Sequence, residues 1–112
     1  MLTYVGMDAQ LRALAEPRRR DILRLVWGRE LSAGAVASHF AVTRPAISQH
    51  LAVLKEAGLI AERREGTRRL YQARPEEMSA VLAYLQEFWT DRLAVLKELA
   101  EAEAREEHAH DE

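Results

Sequence analysis

The sequence contains no cysteine, only three prolines and five glycines in 112 residues, and no apolar run near the roughly 18 residues a membrane span requires. Without thiols, disulfide scaffolds, thiol catalysis and thiolate metal sites are all excluded. With few helix breakers and many Ala, Leu, Glu and Arg residues, the composition predicts a helix-rich globular chain of one domain's size. Met1 to Gly6 has neither the basic start nor the apolar stretch of a secretory signal. These absences together predict a soluble, cytoplasmic protein with no membrane partner.

Net charge is also nearly absent, at −2, but it is unevenly spread. Pro17 to Arg74 holds 12 Lys/Arg against 5 Asp/Glu, whereas the rest holds 4 against 13. A basic middle between acidic ends suits a polyanion-binding surface on a body that otherwise repels polyanions.

The periodicity predicts a first helix over about Asp8 to Ala15, with Asp8 as N-cap. A second starts at Pro17, tolerated in a first turn, and runs to Trp27 before Gly28. Ser32 caps a third helix over Ala33 to His39, and Phe40 to Val42 connect it to a fourth. Ala41 stands where a glycine is common in such turns; a left-handed backbone there would cost about 1 kcal/mol. Thr43 caps the fourth helix, Pro45 lies in its first turn, and Ile47, Leu51 and Leu54 form its core stripe up to Gly58. Leu59 to Glu65 and Thr67 to Ala73 then flank a Glu65-Gly66 turn as a hairpin.

From Pro75 a helical stripe of Met78, Val81, Leu82, Leu85, Phe88, Trp89, Leu93, Leu96 and Leu99 persists to about Glu106. At 1.5 Å per residue this helix is about 48 Å long, more than one small domain can cover, so its stripe implies a partner helix. Glu101 to Glu112 reads as a charged, frayed end. One domain over residues 1–106 with a tail over 107–112 is expected. The fold class is mostly α with a small β-hairpin wing, in the order ααααββα: a winged helix-turn-helix whose last helix is expected to pair with that of a second copy.

On the fourth helix Pro45, Ser48, Gln49 and Ala52 point away from the core stripe. Ser48 and Gln49 supply hydrogen-bonding groups, and Ala52 is small enough for close approach to a major groove. Gln49 can pair in bidentate fashion with adenine, and Arg44 can reach guanine or a phosphate. The hairpin carries Arg63, Arg64, Arg68 and Arg69 about its tip, a density suited to a phosphate backbone. Arg18, Arg19 and Arg20 open the second helix, where its dipole disfavours cations; a nearby polyanion would relieve that conflict.

Thr43 to Ile60, Leu14 to Leu23 and Arg63 to Tyr71 together closely resemble the ArsR/SmtB family, in an order matching residues 8 to 100. The resemblance implies a dimeric winged-helix transcription repressor that binds double-stranded DNA as a homodimer on an inverted-repeat operator. It implies base reading by Arg44, Ser48 and Gln49, and backbone contacts from Thr43, Pro45, His50, Lys55, Arg63, Arg64, Arg68 and Arg69. It implies a fold that is dimeric through its terminal helices, with Leu11, Leu14, Leu82, Leu85, Trp89, Leu93 and Leu96 at the dimerisation surface.

Many members of this family sense metals, and the sequence departs from them at the ligands. Ser32 and Gly34 stand where one site has its thiols, and no histidine lies between Pro75 and Glu107 for the other. His108 and His110 in the tail make at most a weak site, so no metal or other cofactor is expected. Phe40 to Pro45 and Phe88-Trp89-Thr90-Asp91-Arg92-Leu93 resemble a metal-free branch of autorepressors and local regulators. A small-molecule effector is left open. The competing readings are a protein-interaction module of the same fold and a metal-responsive repressor with a non-standard site. Catalysis is not expected, because carboxylates such as Glu76, Glu77, Glu98 and Glu101 have no neighbouring nucleophile or clustered histidine.

Overall fold

The computed structural model describes the backbone of residues 2–110 and the side chains of residues 7–107. The elements are α1 (Leu2–Ala15), α2 (Pro17–Leu25), β1 (Leu31–Ser32), α3 (Ala33–Ala37), α4 (Arg44–Glu56), β2 (Ile60–Glu65), β3 (Arg68–Ala73) and α5 (Pro75–His110). They fall into two units, Met1–Val81 and Leu82–Glu112. No helix among the described residues is long and apolar enough to cross a membrane.

In the first unit Ile22, Val26, Val36, Ile47, Leu51, Leu54, Leu59 and Ile60 are fully buried, so α2, α3, α4 and the start of the hairpin share one core. Val81, on α5, is buried as well. Local chemistry sets the helix ends. The hydroxyl of Ser32 accepts from the amide of Ala35, and that of Thr43 from Ala46, so each satisfies an orphan donor at a helix start. At the end of α4 the Leu59 amide donates to the carbonyl of Leu54 while Gly58 takes φ +78°, a turn that an L side chain would strain. The chain then passes directly into β2. Ala41 is not left-handed, since every positive φ among the described residues belongs to a glycine, and the conditional cost does not arise.

Several elements differ from the sequence expectation. The first helix begins at Leu2, so Asp8 is an exposed interior residue and not an N-cap; Met7 is buried upstream of it. The third helix is shorter, ending at Ala37. A strand precedes it: Leu31 pairs with Tyr71 and Ser32 with Leu70, giving a three-stranded antiparallel sheet in the order β1-β3-β2 and an element order ααβααββα. Two residues carry no alternation that could announce a strand; only the docking of β3 makes them one. The hairpin loop is Gly66-Thr67, one residue later than expected, because Glu65 pairs with Arg68 and Gly66 has φ +63°. The last helix continues to His110, through the segment expected to fray, which is rich in the helix formers Ala, Glu and Arg. The side chains of His108 and His110 lie outside the described residues.

The arginine run at the start of α2 needs no polyanion. Nε and Nη2 of Arg19 donate to the carbonyls of Ala13 and Arg12, and Nη1 of Arg20 donates to that of Leu14 at 2.7 Å. These are the orphan acceptors at the negative end of α1, so one helix end answers the other. Arg18 lies over the Phe40 ring at 4.8 Å and steadies the connection between α3 and α4.

Two carboxylates tie the hairpin to its surroundings, one on each face of β2. Glu62 accepts from Lys55 of α4 at 3.1 Å and lies 3.7 Å from Arg69 of β3. Glu30, just before β1, accepts from Nε and Nη2 of Arg63 at 2.8 and 2.9 Å. Hydrogen bonding to Lys55 holds the Glu62 carboxyl below its ordinary range against a smaller effect of burial, and hydrogen bonding to Arg63 does the same for Glu30. A depressed folded-state pKa stabilises above the ordinary carboxylate range and is lost as pH falls through the depressed value. Glu62→Gln is therefore expected to lower the thermal midpoint only slightly at pH 7, because both cations it pairs with are half exposed. The gap to the parent should close only as pH falls through that lowered value, below the pH at which an ordinary carboxylate takes up its proton. Midpoints recorded against pH check this; a gap that widens as the solution is acidified would contradict it.

Candidate nucleic-acid interface

The buried stripe of α4 fixes what that helix presents. With Ile47, Leu51 and Leu54 at 0–1% exposure, a 100° step per residue leaves Arg44, Pro45, Ser48, Gln49 and Ala52 outward, and all five are exposed. Thr43 and Pro45 shape the first turn: the threonine caps it and the proline has no amide to satisfy there. The outer face is narrow, with polar groups concentrated in its first two turns.

The start of α4 opens onto a cleft of about 480 Å³ lined by Ser32, Ala33, Gly34, Arg44, Ser48, Thr67, Arg68, Arg69 and Tyr71. The helix-turn-helix forms one wall and the hairpin the other. A Cβ at Gly34 would lie 3.8 Å from the Arg44 guanidinium, an ordinary contact distance, which places that cation over the start of α3 at the floor of the cleft. Burial, then the charge of Glu62, raises the pKa of the Tyr71 hydroxyl, which stays neutral at physiological pH. The cleft therefore carries three arginines and no carboxylate in its lining.

Strand alternation divides the four hairpin arginines, which sequence alone treats as equal. Cross-strand partners share a face, so Arg64 and Arg69 stand on one side with Glu62, and Arg63 and Arg68 on the other. Arg63 is held by Glu30 and by Glu65 at 3.0 Å, Arg69 by Glu62, and Lys55 by Glu62. Among the described residues Arg44, Arg64 and Arg68 face no carboxylate within ion-pair distance. His50 is half-buried, with Nδ1 3.3 Å from Nη1 of Arg19, which links the flank of α4 to the junction of α1 and α2. His39 places Nδ1 2.9 Å from the Ala35 carbonyl at the end of α3.

The expected dimerisation residues fall in both units. Leu11 and Leu14 are half-buried on α1 in the first. In the second, Leu82, Leu85, Trp89, Leu93 and Leu96 are exposed, as are Phe88, Val95 and Leu99. Arg92 lies over the Phe88 ring at 5.6 Å, one helical turn away. The site residues that sequence reasoning missed are Glu30, Glu62, Gly34, Thr67 and Tyr71. The interleaving of carboxylates in Glu62-Arg63-Arg64-Glu65 was the available signal, since like charges packed this densely invite counter-charges.

Residues 16–62 match the family described as "Bacterial regulatory protein, arsR family". The chain is 41% identical over 103 residues to the HTH-type transcriptional regulator Rv2034 of Mycobacterium tuberculosis, covering 92% of this chain and 96% of that one. It is 42% identical over 60 residues to the transcriptional repressor SdpR of Bacillus subtilis, covering 54% and 67%. Among solved structures it is similar to the homodimeric winged helix-turn-helix DNA-binding domain of Mb0332 from Mycobacterium bovis. That likeness has a TM-score of 0.64 and 31% identity, covering 80% of this chain and 83% of the other. The fold, the outward face of α4, the basic hairpin and these likenesses agree: the chain belongs to the ArsR family of bacterial transcription regulators.

Proposed function

We propose that this regulator is a sequence-specific repressor that binds an inverted-repeat operator as a homodimer. The observation that carries the reading is the convergence of the polar start of α4 with Arg68 and Arg69 of the hairpin on one cleft. A helix whose first turns enter a major groove, beside a basic hairpin on the adjoining backbone, makes both kinds of contact at once. Ser48 and Gln49 read base edges, Gln49 in bidentate fashion at adenine, and Arg44 reaches guanine or the phosphate beside it. Arg64 and Arg68 neutralise backbone phosphates, with Thr43, Pro45 and His50 fitting the helix start and flank against the strand. The repressor part of the reading is supported by the likeness to SdpR, which carries that name.

Exposure supports the pairing of two copies. Leu82 and Trp89 are 55% and 60% exposed, and Leu93, Leu96 and Leu99 continue the same apolar stripe. Such a stripe on a helix of 36 residues is covered most simply by the same helix of a second copy. On the first unit Leu14 lines an apolar groove of about 440 Å³ with Leu23, Trp27 and Met78. Mb0332, a relative in structure, is described as homodimeric. A two-fold dimer demands a two-fold operator, with recognition helices about 34 Å apart, one turn of the duplex.

Selection of bound fragments from a random duplex pool tests the reading directly: a palindromic site is expected, and failure to bind any duplex at low salt overturns it. On the selected site, Gln49→Ala is expected to lose about 1–3 kcal/mol of discrimination at one base position, read by titrating single-base variants. Changing Arg64 and Arg68 together to Ala should weaken binding to every sequence and flatten the slope of log K against log salt by about 1.8. Leu93→Glu should leave a monomer at micromolar concentration by sedimentation; a dimer as tight as the parent would place the interface elsewhere.

A further inference from the structure

We propose that Glu30 and Glu62 are specificity-determining residues of the DNA-binding surface. On the two faces of β2 they hold Arg63, and Lys55 with Arg69, off the phosphate backbone, so that a duplex of the wrong sequence gains little from charge. The inference rests on the DNA-binding function proposed above and adds to it the residues that limit indiscriminate binding.

The central segment is strongly basic, and each cation that reaches a phosphate adds affinity for all sequences alike. Specificity is a difference between right and wrong partners, so cations of this kind raise affinity without raising discrimination. Five basic side chains stand on the hairpin and the end of α4: Lys55, Arg63, Arg64, Arg68 and Arg69. Three of them end on a carboxylate, and those three are served by only two acidic positions outside the hairpin tip.

The Glu30–Arg63 contact is the stronger of the two. It is bidentate, through Nε at 2.8 Å and Nη2 at 2.9 Å, and the same Nη2 also donates to Glu65 at 3.0 Å. A guanidinium presents a rigid fork that matches a carboxylate or a phosphate equally well. Arg63 already has such an anion in place, and a phosphate must displace it. Glu30 lies 33 residues away in sequence, before β1, so the pairing exists only once β1 has joined the sheet. Glu62 is more sheltered than the cations it serves, its side chain 18% exposed against 51% for Lys55 and 55% for Arg69. Exposed ion pairs of this kind contribute little to stability. Their larger consequence is for the charge offered to a duplex.

Salt titration of binding to a random-sequence duplex tests this, since its slope counts neutralised phosphates. Glu30→Gln is expected to steepen the slope by about 0.9, and Glu62→Gln by up to about 1.8. Both should reduce several-fold the preference for the selected operator over random duplex. Arg63→Gln alone should leave the slope unchanged, and combined with Glu30→Gln it should cancel the increase. A slope for Glu30→Gln equal to or shallower than the parent's would overturn the proposal. So would a loss of about one from the slope on Arg63→Gln alone, because Arg63 would then already be on the backbone. A parent protein that binds no duplex would overturn the proposed function itself, whereas a parent that binds with slopes insensitive to Glu30 would overturn only this inference.

Discussion

The burial of Ile47, Leu51 and Leu54 is the constraint on which the functional surface depends. A helix whose one side is sealed into a core of close-packed aliphatic groups cannot rotate about its axis without opening a cavity, which costs several kcal/mol per large side chain. The phase of α4 is therefore set from inside, and Ser48, Gln49 and Arg44 are outward as a consequence. Its entry angle is set at the other end by Thr43, Pro45 and the Phe40 ring beneath Arg18. Base reading needs hydrogen-bonding groups placed to within a fraction of an ångström, and a rigid core provides that where a loop would not.

The hairpin illustrates a second principle: charge on a surface is not the same as charge available to a ligand. Period-two alternation separates four neighbouring arginines into two faces, and carboxylates from β1's approach and from β2 itself meet some of them and not others. Arg19 and Arg20 at the start of α2 are likewise consumed, by the carbonyls that end α1. A basic stretch in the sequence thus resolves into three uses: closing a helix junction, bracing the hairpin, and facing the cleft.

The unit formed by Leu82 onward poses the opposite problem. Its apolar side chains keep a helical period yet remain exposed, which is costly for a solitary chain. In the first unit an apolar period is matched by burial, and in the second it is not. A stripe of this length also cannot be shortened to suit one domain, because its spacing is fixed by the 1.5 Å rise of the helix.

Much of this protein could be read along the chain. The caps at Ser32 and Thr43, the core stripe of α4, the hairpin and the long final helix all depend on residues within about one helical turn or one strand pair of each other. Such interactions leave a periodic trace in the order of the residues. The outward Ser48 and Gln49 followed from that trace, as did the winged-helix architecture; the family came from the likeness of particular segments, Thr43 to Ile60 above all. What the chain order could not show is what loop closure alone brings together. The two-residue strand at Leu31–Ser32 exists because β3 docks beside it, and the partner of Arg63 is a glutamate 33 positions away. Which arginines are met by a carboxylate is decided there, because an ion pair depends on distance in space, and a folded backbone makes that distance independent of separation in sequence.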